Sequence, residues 1–172
     1  MSQSAFQGFE KFGDRLQRIY AKDSELSGAG YESTFINEGA SSAELFIPLL
    51  GEFNLSNALA VWTVLLIEGV ASQEAARKIS QLTPAAGRME LILLGKSQKT
   101  DGLLAVVDYA HTPDALEKTL QALRPIAQQR GGKIWCVFGC GGDRDAGKRS
   151  LMGAVVERNA DHAIITSDNP RS

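Results

Sequence analysis

Residues 134–149, IWCVFGCGGDRDAGKR, constrain the fold more than any other stretch. Ile134, Trp135, Cys136, Val137 and Phe138 form an unbroken apolar run, the pattern of a strand covered on both faces of a parallel sheet. Gly139, Gly141 and Gly142 follow at once and let the backbone turn sharply with its N–H groups exposed. Asp143, Arg144, Asp145, Lys148 and Arg149 then crowd charge around the strand end. Ligands of open α/β sheets sit just outside the carboxyl ends of the strands. The chemistry is therefore expected here.

The grammar around this stretch alternates. Met89 to Leu94 and Leu103 to Val107 read as strands, the second of them buried. Thr112 caps a helix with Pro113 at its first position and Asp114 in its first turn. Leu116, Leu120 and Leu123 form that helix's apolar stripe. After the strand at Ile134, a helix starts near Lys148 with Leu151 or Met152, Val155 and Val156 inward. Ala163 to Thr166 reads as the next strand. Such alternation predicts a parallel sheet with right-handed crossovers. Residues 108–111, 139–148 and 167–171 would then share one edge.

The first half reads differently. Tyr31 to Asn37 and Ala43 to Pro48 flank the turn-like residues 38–41, which predicts a hairpin. Before it only Arg18 to Ala21 suggests a strand. Leu55 to Glu68 is helical by spacing, with Leu55, Leu59, Trp62 or Val61, Leu65 and Leu66 on one face. Asn54 is its expected N-cap and Gly69 its C-cap. Ser72 is expected to cap a second helix through Leu82. Residues 83–87, TPAAG, break the pattern and mark a domain boundary.

Composition narrows the partners. A net charge of -2 over 172 residues gives no electrostatic case for nucleic acid or an anionic membrane. No apolar run is long enough to span a bilayer, and no signal-peptide pattern is present. Cys136 and Cys140, with two distant histidines, make a poor zinc site. Reduced thiols suit a cytoplasmic protein.

Residues 142–149 nearly spell a Walker phosphate loop, but Arg149 stands where the magnesium-binding Ser or Thr belongs. The dinucleotide pattern fails as well, because Arg144 occupies its third glycine. An anion-binding loop and a solvated charged turn both remain open. The Asp108 carboxylate could accept two ribose hydroxyls, and Tyr109 or His111 could meet a base or a phosphate; His111 could equally be a helix-entry residue. His162 beside Asp161 reads as structural. Asp168, Asn169, Pro170 and Arg171 put an acid, an amide and a guanidinium on one stiff turn. That set could read an amino acid, although such a sequence is also an ordinary turn.

Five motifs in order carry a resemblance: residues 51–60 (GEFNLSNALA), 87–90 (GRME), 108–116 (DYAHTPDAL), 138–145 (FGCGGDRD) and 168–171 (DNPR). The chain resembles the Mur ligase family. The resemblance implies an α/β fold in which residues 1–86 are the end of a central ATPase domain. Residues 87–172 would be the first half of a Rossmann-like C-terminal domain. It implies an ATP-dependent amide ligase of peptidoglycan synthesis, working through an acyl phosphate. Within the family the DNPR turn points to adding meso-diaminopimelate to UDP-N-acetylmuramoyl-L-alanyl-D-glutamate. By the same resemblance Arg144, Asp168, Asn169, Pro170 and Arg171 hold diaminopimelate, with Arg171 on its distal carboxylate. Asn57, Arg88, Asp108 and His111 face ATP. The magnesium site, the phosphate loop and the UDP-binding domain would lie outside this chain, in missing domains of the same ligase. The chain alone is accordingly expected to be inactive, and to be unstable or to self-associate. The rival expectation is a non-catalytic α/β module that binds a nucleotide or an amino acid.

Overall fold

The computed structural model describes residues 18–94, 103–140 and 147–167. The chain divides into two compact units, Met1–Pro84 and Ala85–Ser172.

In the first unit β1 (Ile19–Ser27), β2 (Gly30–Asn37) and β3 (Ser41–Ile47) form an antiparallel sheet in the order β1-β2-β3. The expected hairpin is β2–β3. β1 runs well past Ala21 because a bulge between Lys22 and Glu25, with Asp23 at φ 52°, shifts the alternation that sequence reading follows. The buried Ser33 hydroxyl meets Ser24 Oγ at 2.8 Å and donates to the Lys22 carbonyl at 3.3 Å, which satisfies the bulge.

Two helices, α1 (Glu52–Ile67) and α2 (Ser72–Ile79), pack with this sheet. Phe35, Ile47, Trp62 and Ile79 are at most 1% exposed. Trp62 stands edge-on to Phe35 with ring centroids 5.8 Å apart, and its indole N–H donates to the Ser72 carbonyl. Trp62 rather than Val61 is therefore the inward residue.

Two expected caps differ. α1 begins before Asn54, at Gly51, and the Asn54 amide donates instead to the Leu50 carbonyl at 2.8 Å. Ser72 is the first residue of α2, and its hydroxyl donates to the Ser42 carbonyl of β3. Both polar side chains found partners distant from the role that local rules assign them. α1 does end as expected. Gly69, at φ 85°, donates to Leu66 and Val70 N–H donates to Leu65, the paired bonds of a left-handed helix stop.

In the second unit β4 (Glu90–Leu94) and β5 (Leu103–Val107) pair antiparallel, while β6 (Trp135–Phe138) and β7 (His162–Ile165) pair parallel. The β6–β7 pair, joined through the helix Gly147–Asn159, matches the expected parallel sheet. Among the described residues no ladder joins β5 to β6. α3 (Pro113–Gln129) starts as expected, with Thr112 Oγ1 accepting from Ala115 N–H. α4 (Gly147–Asn159) turns Met152, not Leu151, inward with Val155 and Val156.

The strands of this unit are not covered on both faces. Leu116, Leu120, Met152, Val155 and Val156 pack onto Ile134 and Cys136. Trp135 and Val137 alternate to the opposite face and are 61% and 64% exposed. Leu103, Ile164 and Ile165 are exposed as well. The apolar run correctly marks strands, but both helices lie on one side of β6.

Asp161 ties together the starts of β6 and β7 and the end of α4. Its Oδ2 accepts Ile134 N–H at 2.7 Å and Arg124 Nη1 at 2.8 Å, while Arg124 Nη2 donates to the Asn159 carbonyl. The backbone N–H first, and the Arg124 guanidinium second, hold the Asp161 carboxyl below its ordinary value. His162 packs its ring on Trp135, centroids 4.1 Å apart, so its role here is structural.

Candidate functional site

The site grows from the end of β5. The β4–β5 ladder closes with Glu90 opposite Val107. One step further the backbone partner is replaced by a side chain: Met89 N–H donates to Asp108 Oδ2 at 2.9 Å. The other carboxylate oxygen, Oδ1, accepts the Thr119 hydroxyl of α3 at 3.2 Å. Asp108 is half-buried, and both its oxygens are engaged within the chain.

This ties down the turn before β4. Arg88 N–H donates to the Ala85 carbonyl, and Gly87 N–H donates to the Glu90 carboxylate at 2.7 Å. Met89 is only 2% exposed yet has φ 48°, an uncommon conformation for a long side chain. Its burial and the carboxylate on its N–H hold it there.

The turn aims Arg88 at the strand-end segment. The Arg88 guanidinium lies over the Tyr109 ring, 5.1 Å from the centroid, and both residues are exposed. The Tyr109 and His111 rings lie 5.3 Å apart, tilted by 55°. His111 Nδ1 is 3.1 Å from the Tyr109 carbonyl. A carbonyl can only accept, so Nδ1 carries the proton and Nε2 remains as the ring's other polar atom. Cation, phenol and imidazole thus form one exposed, flat-sided cluster.

Beside it a cleft of about 570 Å³ opens between the end of β5, α3 and β6. Asp108, Tyr109 and His111 line it together with Gly139, Cys140 and Lys148. The first two of the three expected strand-end segments therefore meet at one cleft. Burial raises the Cys136 thiol above its ordinary value, and Cys140 Sγ sits 3.5 Å from Met152 Sδ.

Asn57 belongs to the first unit. It is exposed on α1, and its amide donates to Asn54 Oδ1 at 3.2 Å. Arg144, Asp168, Asn169, Pro170 and Arg171 lie outside the described residues, as does the near-Walker stretch up to Ala146. Among the described residues no three His, Cys, Asp or Glu side chains converge as a cation site. These described residues do not fit magnesium. Sequence reading missed Met89 and Thr119. The one available signal was a hydroxyl at position 119, between Leu116 and Leu120 on the apolar stripe of α3.

Residues 87–172 match the family described as Mur ligase, glutamate ligase domain. The chain is 55% identical over 141 residues to the UDP-N-acetylmuramoyl-L-alanyl-D-glutamate--2,6-diaminopimelate ligase of Ralstonia nicotianae, covering 81% of this chain and 26% of that protein. The ligase of the same name from Acidovorax sp. is 49% identical over 154 residues, covering 90% of this chain and 30% of its own length. The chain thus spans about a quarter to a third of these curated relatives. A solved structure of a ligase of that name superposes with a TM-score of 0.61 at 37% identity, over 90% of this chain and 30% of that one. MurF from Acinetobacter baumannii superposes at 0.65 with 23% identity, over 86% and 31%, a likeness of fold.

Proposed function

The chain belongs to the Mur ligase family, and from that premise we propose that it is part of a ligase adding meso-diaminopimelate to UDP-N-acetylmuramoyl-L-alanyl-D-glutamate. The observation that carries this reading is the 55% identity to a ligase of that name. In this chemistry ATP phosphorylates the free carboxylate of the UDP-linked dipeptide. The amine of diaminopimelate attacks the acyl phosphate, releasing phosphate and leaving an amide. The protein must hold the nucleotide, aim the amine and neutralise the carboxylates.

We assign the nucleotide end to Arg88 and His111, beside Asp108. An exposed guanidinium stacked on a tyrosine supports that assignment, since it offers charge to a phosphate and a flat surface to a base. For Asn57 the assignment to ATP rests on the resemblance of its motif alone. Arg144 and the Asp168, Asn169, Pro170, Arg171 turn are assigned to diaminopimelate on the same ground. A bidentate arginine on the distal carboxylate would discriminate against lysine, which lacks that group. The reaction belongs to peptidoglycan synthesis, and the reading places it in the cytoplasm with the other domains of the ligase.

The test is a replacement. The matching segment of the Ralstonia ligase is exchanged for this sequence, and ligation is followed by phosphate release. Retained activity with diaminopimelate is expected, and a folded exchange with no activity overturns the reading. Within that exchange Arg88→Ala should lower kcat/KM for ATP by roughly 10–150-fold, the cost of a lost charge-assisted bond. Arg171→Ala should shift the diaminopimelate-to-lysine ratio of kcat/KM and leave KM for ATP unchanged.

A further inference from the structure

We propose that Asn54 is a positioning residue: its side-chain amide bridges the Leu50 carbonyl and Asn57, and so presents the Asn57 Oδ1 as an acceptor for the amino group of a base. The proposal deepens the assignment of Asn57 to ATP and rests on it.

The direction of both amides follows from one fixed end. The Leu50 carbonyl can only accept, so Asn54 must present its Nδ2 there, at 2.8 Å. That leaves Asn54 Oδ1 as the atom facing Asn57, and an amide oxygen also only accepts. Asn57 must therefore present its own Nδ2, at 3.2 Å. A planar amide with its nitrogen turned to Asn54 carries its Oδ1 on the other side. Asn57 is exposed on α1, so this oxygen and the second Nδ2 hydrogen can meet a ligand.

The fixed end is well held. Leu50 is 2% exposed, and Gly51 after it has φ 92°, a conformation open to glycine. A Cβ at Gly51 would stand 2.6 Å from the Phe53 ring, so the turn closes against that ring. Asn54 N–H donates to the Gly51 carbonyl at 2.9 Å. The relay thus starts at a buried turn and ends on the helix surface at Asn57.

An acceptor beside a donor matches the 6-amino group and N7 of adenine. It mismatches a 6-oxo purine, whose oxygen would face Oδ1. Without Asn54 the Asn57 amide can turn over and serve either base. An Asn54 that merely supports the start of α1 would favour neither.

In the exchanged ligase, Asn54→Ala should lower the ratio of kcat/KM for ATP to that for inosine triphosphate on the order of tenfold. The loss with ATP should lie in KM. Asn54→Asp should also raise KM for ATP, because its bond to Leu50 is lost. It should nevertheless hold the ratio above that of Asn54→Ala, since a carboxylate only accepts and Asn57 must still present Nδ2. With Asn57 already alanine, Asn54→Ala should leave the ratio where it stands. Equal losses with both nucleotides overturn the proposal, as does a ratio that falls as far in Asn54→Asp as in Asn54→Ala. If Asn54→Ala fails to fold, Asn54→Leu supplies the same comparison. Should Asn57→Ala leave KM for ATP untouched, the assignment of Asn57 to ATP fails. Nuclear magnetic resonance of the 172-residue chain then decides the relay by itself. Hydrogen exchange of the Asn57 side-chain amide should quicken in Asn54→Ala, and an unchanged rate overturns the relay.

Discussion

The two units solve the same packing problem to different extents. In the first, an antiparallel sheet alternates polar and apolar residues, so it has one apolar face, and α1 and α2 bury it. Tyr31, Phe35, Ala43, Leu45 and Ile47 all point into that core. In the second, β6 is apolar on both faces, and α3 and α4 cover only one. Cys136 is 7% exposed, while its neighbours Trp135 and Val137 exceed 60%. The difference shows that an apolar run reports the capacity of a strand to be buried on two sides. Whether it is buried depends on what else packs there.

The contrast can be broken at its strongest point first. Trp62→Ala removes a fully buried indole, its edge contact with Phe35 and its bond to the Ser72 carbonyl. It should cost the first unit ~3–5 kcal/mol, read by chemical denaturation followed by circular dichroism. A loss below about 1 kcal/mol would contradict the closed core.

The second unit should be the acid-sensitive one. The Asp161 carboxyl lies below its ordinary value of 3.8 in the fold, through Ile134 N–H and then Arg124. A depressed carboxyl stabilises the fold above its unfolded value and loses that contribution as pH falls through the folded value. The second unit's melting temperature should therefore fall as pH drops below about 4, and the fall should be shallower in Asp161→Asn. Glu74 in the first unit is also held low, at about 2, by Arg77 and then Lys78. Its partners are exposed side chains of its own helix, with no backbone N–H among them, so Glu74→Gln should change the first unit's melting little.

Gly69→Ala should cost the first unit about 1 kcal/mol, because residue 69 must keep φ 85° to close α1. The smallest effect on stability is expected at the uncovered face. Trp135→Thr or Val137→Thr should leave the second unit's stability nearly unchanged and reduce its self-association, measured by light scattering. A large loss of stability in these variants would mean that the face is buried in solution.

Much of this molecule follows from local chemistry. The α3 start is set by Thr112 and Pro113, and the α1 stop by Gly69, since each acts on backbone groups a few residues away. The spacing of Leu55, Leu59 and Trp62 determined which face of α1 turns inward. The five motifs determined the family, and GRME and DYAH marked two segments that meet at β4 and β5. Tertiary structure decided the rest, because polar side chains choose among partners that are distant in sequence. Ser72 gave up capping for the carbonyl of Ser42, 30 residues away. The β1 bulge hid half a strand from period counting. Asp108 accepts Met89 N–H and the Thr119 hydroxyl, bonds that its position in the sequence does not announce. A sequence displays a carboxylate's chemistry, but its bonds depend on which donors the fold brings within 3 Å of it.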